Sequence, residues 1–124
     1  RLGQNKLKGT FPFSLTHNRN LIELRLDQNS LSGTLPPELD SLHKLEVLDI
    51  GSNSFLGPIP DVFSRLHHLQ ILEMENNRFG QHLEEEKQRA HLPTSFGALS
   101  DLSKYIFGCN FLLLFSLFVC QACS

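Results

Sequence analysis

The chain has 124 residues, 40% of them hydrophobic, and a net charge of −2. That is enough for one domain with a sizeable core and too apolar for a disordered tail. No basic stripe of the kind nucleic-acid binding requires is present. The three cysteines, Cys109, Cys120 and Cys123, lie in the last sixteen residues, so the body has neither a disulfide framework nor a metal set.

From the start, Leu2, Asn5, Leu7, Gly9, Phe11, Pro12 and Leu15 stand 24 residues before Leu26, Asn29, Leu31, Gly33, Leu35, Pro36 and Leu39. The chain thus enters in the middle of a repeat. With no signal peptide at its head, it reads as a piece of a longer protein. The next stretch sets the pattern fully. Leu21, Leu24, Leu26 and Asn29 recur as Leu45, Leu48, Ile50 and Asn53, and again as Leu69, Leu72, Met74 and Asn77. Residues two apart, such as Leu24 and Leu26, share one face of a strand, so each coil is predicted to open with a short strand. One strand cannot bury its apolar face alone; neighbouring coils must stack, with their strands parallel.

After each strand comes an asparagine: Asn5, Asn29, Asn53, Asn77 and, in a last copy, Asn110. Buried where the chain turns inward, its amide can bond backbone groups that the turn leaves unpaired. Gly33 and Gly57 follow, permitting a bend or a close backbone approach. Pro36 and Pro60 then precede the pairs Leu39/Leu42 and Phe63/Leu66. A spacing of three puts each pair on one side of a 3₁₀-like turn. Gly or Pro interrupts every coil at the same phase, which argues against a helical bundle.

The third coil is longer. Pro93, Phe96, Leu99 and Leu102 lie 33 residues after Pro60, Phe63, Leu66 and Leu69, an excess of nine residues placed within about 80–91. Glu84 to Arg89 there could form a short helix pairing Glu85 with Arg89. A fifth strand follows, with Leu102, Tyr105, Phe107, Asn110 and Leu112 in phase, after which the pattern fails. Residues 113–124 form an apolar, cysteine-containing tail. It reads as a broken last repeat, an unrelated tail or a short membrane segment, its length being marginal for a span.

The run L-x-x-L-x-L-x-x-N-x-L, followed by L-x-G-x-[LI]-P at Leu31–Pro36 and Phe55–Pro60, resembles the plant-type leucine-rich-repeat family over residues 1–112. That family builds the ectodomains of plant receptor-like kinases and receptor-like proteins. The resemblance implies an α/β solenoid: a right-handed coil of about four and a half repeats, with short parallel strands on a concave face and 3₁₀ or loop segments on a convex one. It further implies a non-catalytic protein- or peptide-binding module acting in signalling or defence. The location implied is the extracellular face of the plasma membrane, with membrane association through the parent protein or the apolar tail. Two alternatives stand beside this: a soluble or intracellular adaptor, and a truncated product without function. Neither an N-x-[ST] sequon nor paired cap cysteines occur, a departure from secreted plant ectodomains.

In such a solenoid the ligand lies on the strand face, whose non-core positions form columns. One column is Arg25, Asp49 and Glu73; another is Asp27, Gly51 and Glu75; a third is Glu23, Val47 and Ile71. The patch of Glu23, Arg25, Asp27, Asp49, Glu73 and Glu75 is net acidic and fits a protein or peptide of basic character. No phosphate-binding, nucleophile-elbow, zinc or kinase motif occurs, so no catalysis, metal or cofactor is expected. His43 and His67 share a repeat phase, but the histidines and the Cys120–Cys123 pair lack a ligand set.

Overall fold

The computed structural model describes residues 1–59, 61–79 and 104–106. The extra residues within 80–91 with Glu84 to Arg89, Pro60, Asn110, the three cysteines and the tail 113–124 lie outside them. Among the described residues are eight short strands: β1 (Lys8–Thr10), β2 (Glu23–Arg25), β3 (Ser30–Gly33), β4 (Val47–Asp49), β5 (Ser54–Gly57), β6 (Ile71–Glu73), β7 (Arg78–Phe79) and β8 (Lys104–Ile106). Between them lie 3₁₀ turns at Phe13–His17, Pro37–Ser41 and Phe63–Arg65. Among the described residues, no helix is long and apolar enough to cross a membrane.

The principal sheet runs β2-β4-β6-β8, all parallel. Leu24 pairs with Leu48 and Leu48 with Leu72, the 24-residue step; Leu72 pairs with Tyr105, the 33-residue step. Alternation sets the facing. Leu24, Leu26, Leu48, Ile50, Leu72 and Met74 are buried, while the residues between them look outward. Burying each such side chain is worth about 2 kcal/mol.

A second parallel sheet, β1-β3-β5-β7, stands where the repeat pattern predicts only turns and loops after each asparagine. Its register steps by 22 residues instead of 24, so Gly9 pairs with Leu31, Gly33 with Phe55 and Gly57 with Phe79. A slip of two keeps each strand's faces unchanged, because side chains alternate with period two. Leu31, Phe55 and Phe79 therefore stay in the core.

The 3₁₀ turns follow from spacing. Leu39 donates its N–H to the Pro36 carbonyl, Leu42 to Leu39, and Leu45 to Leu42. Leu66 and Leu69 repeat this on Phe63 and Leu66. Three residues per turn bring Leu39, Leu42 and Leu45 to one side, and all three are fully buried. Both sheets and the turns feed a single continuous core.

The asparagines join the two sheets. Asn53 Nδ2 donates to the carbonyls of Leu26, Ile50 and Gly51, while its Oδ1 accepts the Leu31 N–H at 3.1 Å. Asn77 does the same with Ile50, Met74, Glu75 and the Phe55 N–H, and Asn29 with Leu2, Leu26, Asp27 and the Leu7 N–H. Each amide reaches one coil back at both ends and opens the 22-residue register of the second sheet. Asn5 is exposed, and its side chain bonds the Leu2 and Gly3 carbonyls of its own coil.

Candidate functional site: the outer face of the principal sheet

Because the principal sheet is parallel and in register, equivalent residues stand in rows across it. Arg25 lies beside Asp49 and Asp49 beside Glu73; Glu23 lies beside Val47 and Val47 beside Ile71. Backbone bonds from Leu2 to Arg25 and from Gln4 to Asp27 extend the columns to Arg1 and Gly3. All six charged residues expected on this face are on it, together with Arg1, which the sequence reading left out.

The cations sit at one end and are internally spent. Glu23 Oε1 is shared by Arg1 Nε at 2.9 Å and Arg25 Nε at 2.6 Å. Arg25 Nη1 also reaches Asp49 Oδ2 at 3.4 Å. The Arg25 hydrogen bond, and then that of Arg1, hold the Glu23 carboxyl below its ordinary range. The same bond to Glu23 raises the Arg25 pKa further.

The other end is acidic. Carboxylate oxygens of Asp49, Glu73 and Glu75 lie within 4.8 Å of one another. Asp49 is only 5% exposed, and its Oδ1 accepts the Gly51 N–H at 3.1 Å. Burial pushes its carboxyl up to about 6; the charges of Asp27, Glu73 and Glu75 push the same way, and the Gly51 N–H opposes them. Such a trio has the donor set of a cation site. Asp49, however, already commits one oxygen to Gly51 and the other to Arg25.

A second recess, between the first two 3₁₀ turns, is lined by Phe13, His17, Arg19, Glu38, Asp40 and Ser41 among others. Its polar groups largely serve the fold. Ser41 Oγ lies within hydrogen-bonding reach of both the Thr16 and the Glu38 carbonyls, at 2.7 and 2.8 Å, and Asp40 lies 3.8 Å from Arg65. His43 and His67 are exposed, and His43 Nδ1 lies 3.5 Å from the Arg65 carbonyl.

The sequence model of the Leucine Rich Repeat family matches residues 20–42 and 44–66, one segment for each of two successive coils. The chain carries Leucine Rich Repeats, and its solenoid resembles the ectodomains of plant receptor kinases. Its solenoid is similar to a plant peptide hormone receptor, RGFR1, solved in complex with RGF2. The identity is 33%, the TM-score 0.77, and the match covers 86% of this chain and 16% of the receptor. It is also similar to the BIR2 ectodomain from Arabidopsis thaliana, with 30% identity, a TM-score of 0.79 and coverage of 89% and 53%. A Leptospira interrogans leucine-rich-repeat protein, LIC12759, matches at 27% identity and a TM-score of 0.74, over 90% of this chain and 25% of that one. The leucine-rich-repeat chain therefore spans between about a sixth and a half of the length of these solved proteins. No curated protein matches it.

Proposed function

We propose that this chain is a non-catalytic binding module of a plant receptor-like kinase or receptor-like protein. In this reading the outer face of its principal sheet holds a basic peptide or protein segment at the extracellular surface, as part of signalling. The observation that carries it is the division of charge on that face. Arg1 and Arg25 are neutralised by Glu23 and Asp49, while Glu73 and Glu75 converge beside Asp49 at the other end. A peptide hormone is bound by the solved receptor RGFR1, which supports a peptide as the partner class.

Geometry suggests the spacing of the ligand's charges. Asp27 and Glu75 stand two coils apart in one column, about 10 Å at ~4.8 Å per strand. An extended peptide running across the strands turns only alternate side chains toward the sheet, so Lys residues at i and i+2, about 7 Å apart, reach that span with their long stems. The test is calorimetric titration of the full chain with a synthetic peptide carrying Lys at positions i and i+2. Binding is expected, weakening as salt is raised. Glu73→Lys with Glu75→Lys should weaken it at least about tenfold, the scale of losing two charge contacts. Unchanged affinity in that double variant would defeat the proposal.

A further inference from the structure

We infer that Gly51 is a positioning residue of the acidic face: its missing side chain is what allows Glu75 to lie against the sheet and close the carboxylate trio. The bearing of this on ligand binding rests on the function proposed above; the seating itself does not.

Two kinds of glycine occur in the coils. Gly9, Gly33 and Gly57 have positive φ, which the backbone of other residues resists. Gly51 and Gly3 lie outside that region, so their backbone accepts any residue. What excludes a side chain is a neighbour. A Cβ on Gly51 would lie 2.7 Å from Glu75 Cδ and closer still to its Oε1. A Cβ on Gly3 would lie 2.9 Å from Asp27 Cγ and closer still to its Oδ1. In the column of residues 3, 27, 51 and 75, glycine and acid thus alternate coil by coil. Each acid occupies the volume that the preceding glycine leaves empty.

Because the obstructing atoms end a flexible side chain, Gly51→Ala should fold while lifting Glu75 off the sheet. The Gly51 N–H that bonds Asp49 Oδ1 is a backbone donor, which an alanine keeps. Asp49 faces Arg25, Asp27, Glu73 and Glu75. Moving one of these carboxylates away must lower the pH at which Asp49 titrates.

The experiment is a double-mutant cycle on the full chain, following the Asp49 side-chain carboxyl carbon by NMR across pH. Gly51→Ala and Glu75→Gln should each lower its midpoint by about half a unit. In the Glu75→Gln background, Gly51→Ala should add nothing. An unmoved midpoint in Gly51→Ala, or a further drop in the double variant, overturns the inference. If Gly51→Ala does not fold, Gly51→Ala with Glu75→Ala must fold; failure of both also overturns it. The Lys-bearing peptide separates the two claims. If it does not bind the unmodified chain, the function falls while the cycle stands. If it binds, Gly51→Ala should weaken it as much as Glu75→Gln does, and full retention of affinity overturns the positioning role.

Discussion

Individual residues carry unequal weight here, and burial decides which. Asn53 and Asn5 hold the same repeat phase, yet Asn53 makes four backbone bonds, two of them to the preceding coil, while Asn5 makes two within its own. Asn53→Ala leaves the buried Leu31 N–H unpaired and should cost about 2–3 kcal/mol in urea denaturation. Asn5→Ala, at an exposed site, should cost under about 0.5 kcal/mol. Asp49 makes stability depend on pH in an unusual direction. Its folded pKa of about 6 lies above the ordinary 3.8, so between those values the folded chain binds more protons than the unfolded one. Its contribution therefore improves as pH falls through 6. Glu23, held low by Arg25 and Arg1, loses its contribution only in acid below its ordinary 4.5. The melting temperature should rise between pH 7 and about 5, and Asp49→Asn should flatten that rise. At this scale the sequence showed which residues recur, because apolar identity and asparagine persist at a fixed step. It did not show that Gln4, Gln28, Ser52 and Asn76 all adopt positive φ just before the asparagines. Those four positions share a conformation while their residue type varies among Gln, Ser and Asn.

Among the elements, the principal sheet was legible and the second sheet was not. Two buried leucines two residues apart announce a strand, and the 24-residue step announces its partner. The two central strands of the second sheet read Ser-Leu-Ser-Gly and Ser-Phe-Leu-Gly, with one buried apolar side chain apiece plus a glycine at the end. So little alternation is indistinguishable from a turn until the pairing partner is known. Its register of 22 is set by the asparagine amide, which takes the N–H of the residue 22 positions back and so starts the ladder there. Gly57 tests the packing of this sheet. At φ +80 an alanine would pay the left-handed cost of about 1–2 kcal/mol, and its Cβ would meet Thr34 Cγ2 at 2.8 Å. Gly9, at φ +98, has nothing within 4 Å of such a Cβ. Denaturation should therefore show Gly57→Ala costing clearly more than Gly9→Ala.

For the whole molecule, stability is shared between neighbours, each coil completing the interior of the next. The first coil meets one described neighbour, and its core-phase residue Leu2 is 41% exposed where Leu26 is fully buried. Hydrogen exchange should accordingly be faster at the Leu2 and Gln4 amides than at Leu26 and Gln28, although each pair makes equivalent bonds to the following coil. The columns of the outer face were legible from the repeat phase alone. Their electrostatics were not, since the sharing of Glu23 between two arginines and the seating of Glu75 on Gly51 depend on side-chain directions. The direct test of the claim that this acidic sheet face is the binding surface is amide chemical-shift mapping with the Lys-bearing peptide. Perturbations should concentrate in residues 23–27, 47–51 and 71–75. Perturbations confined to the 3₁₀ turns at Phe13–His17, Pro37–Ser41 and Phe63–Arg65 would contradict it.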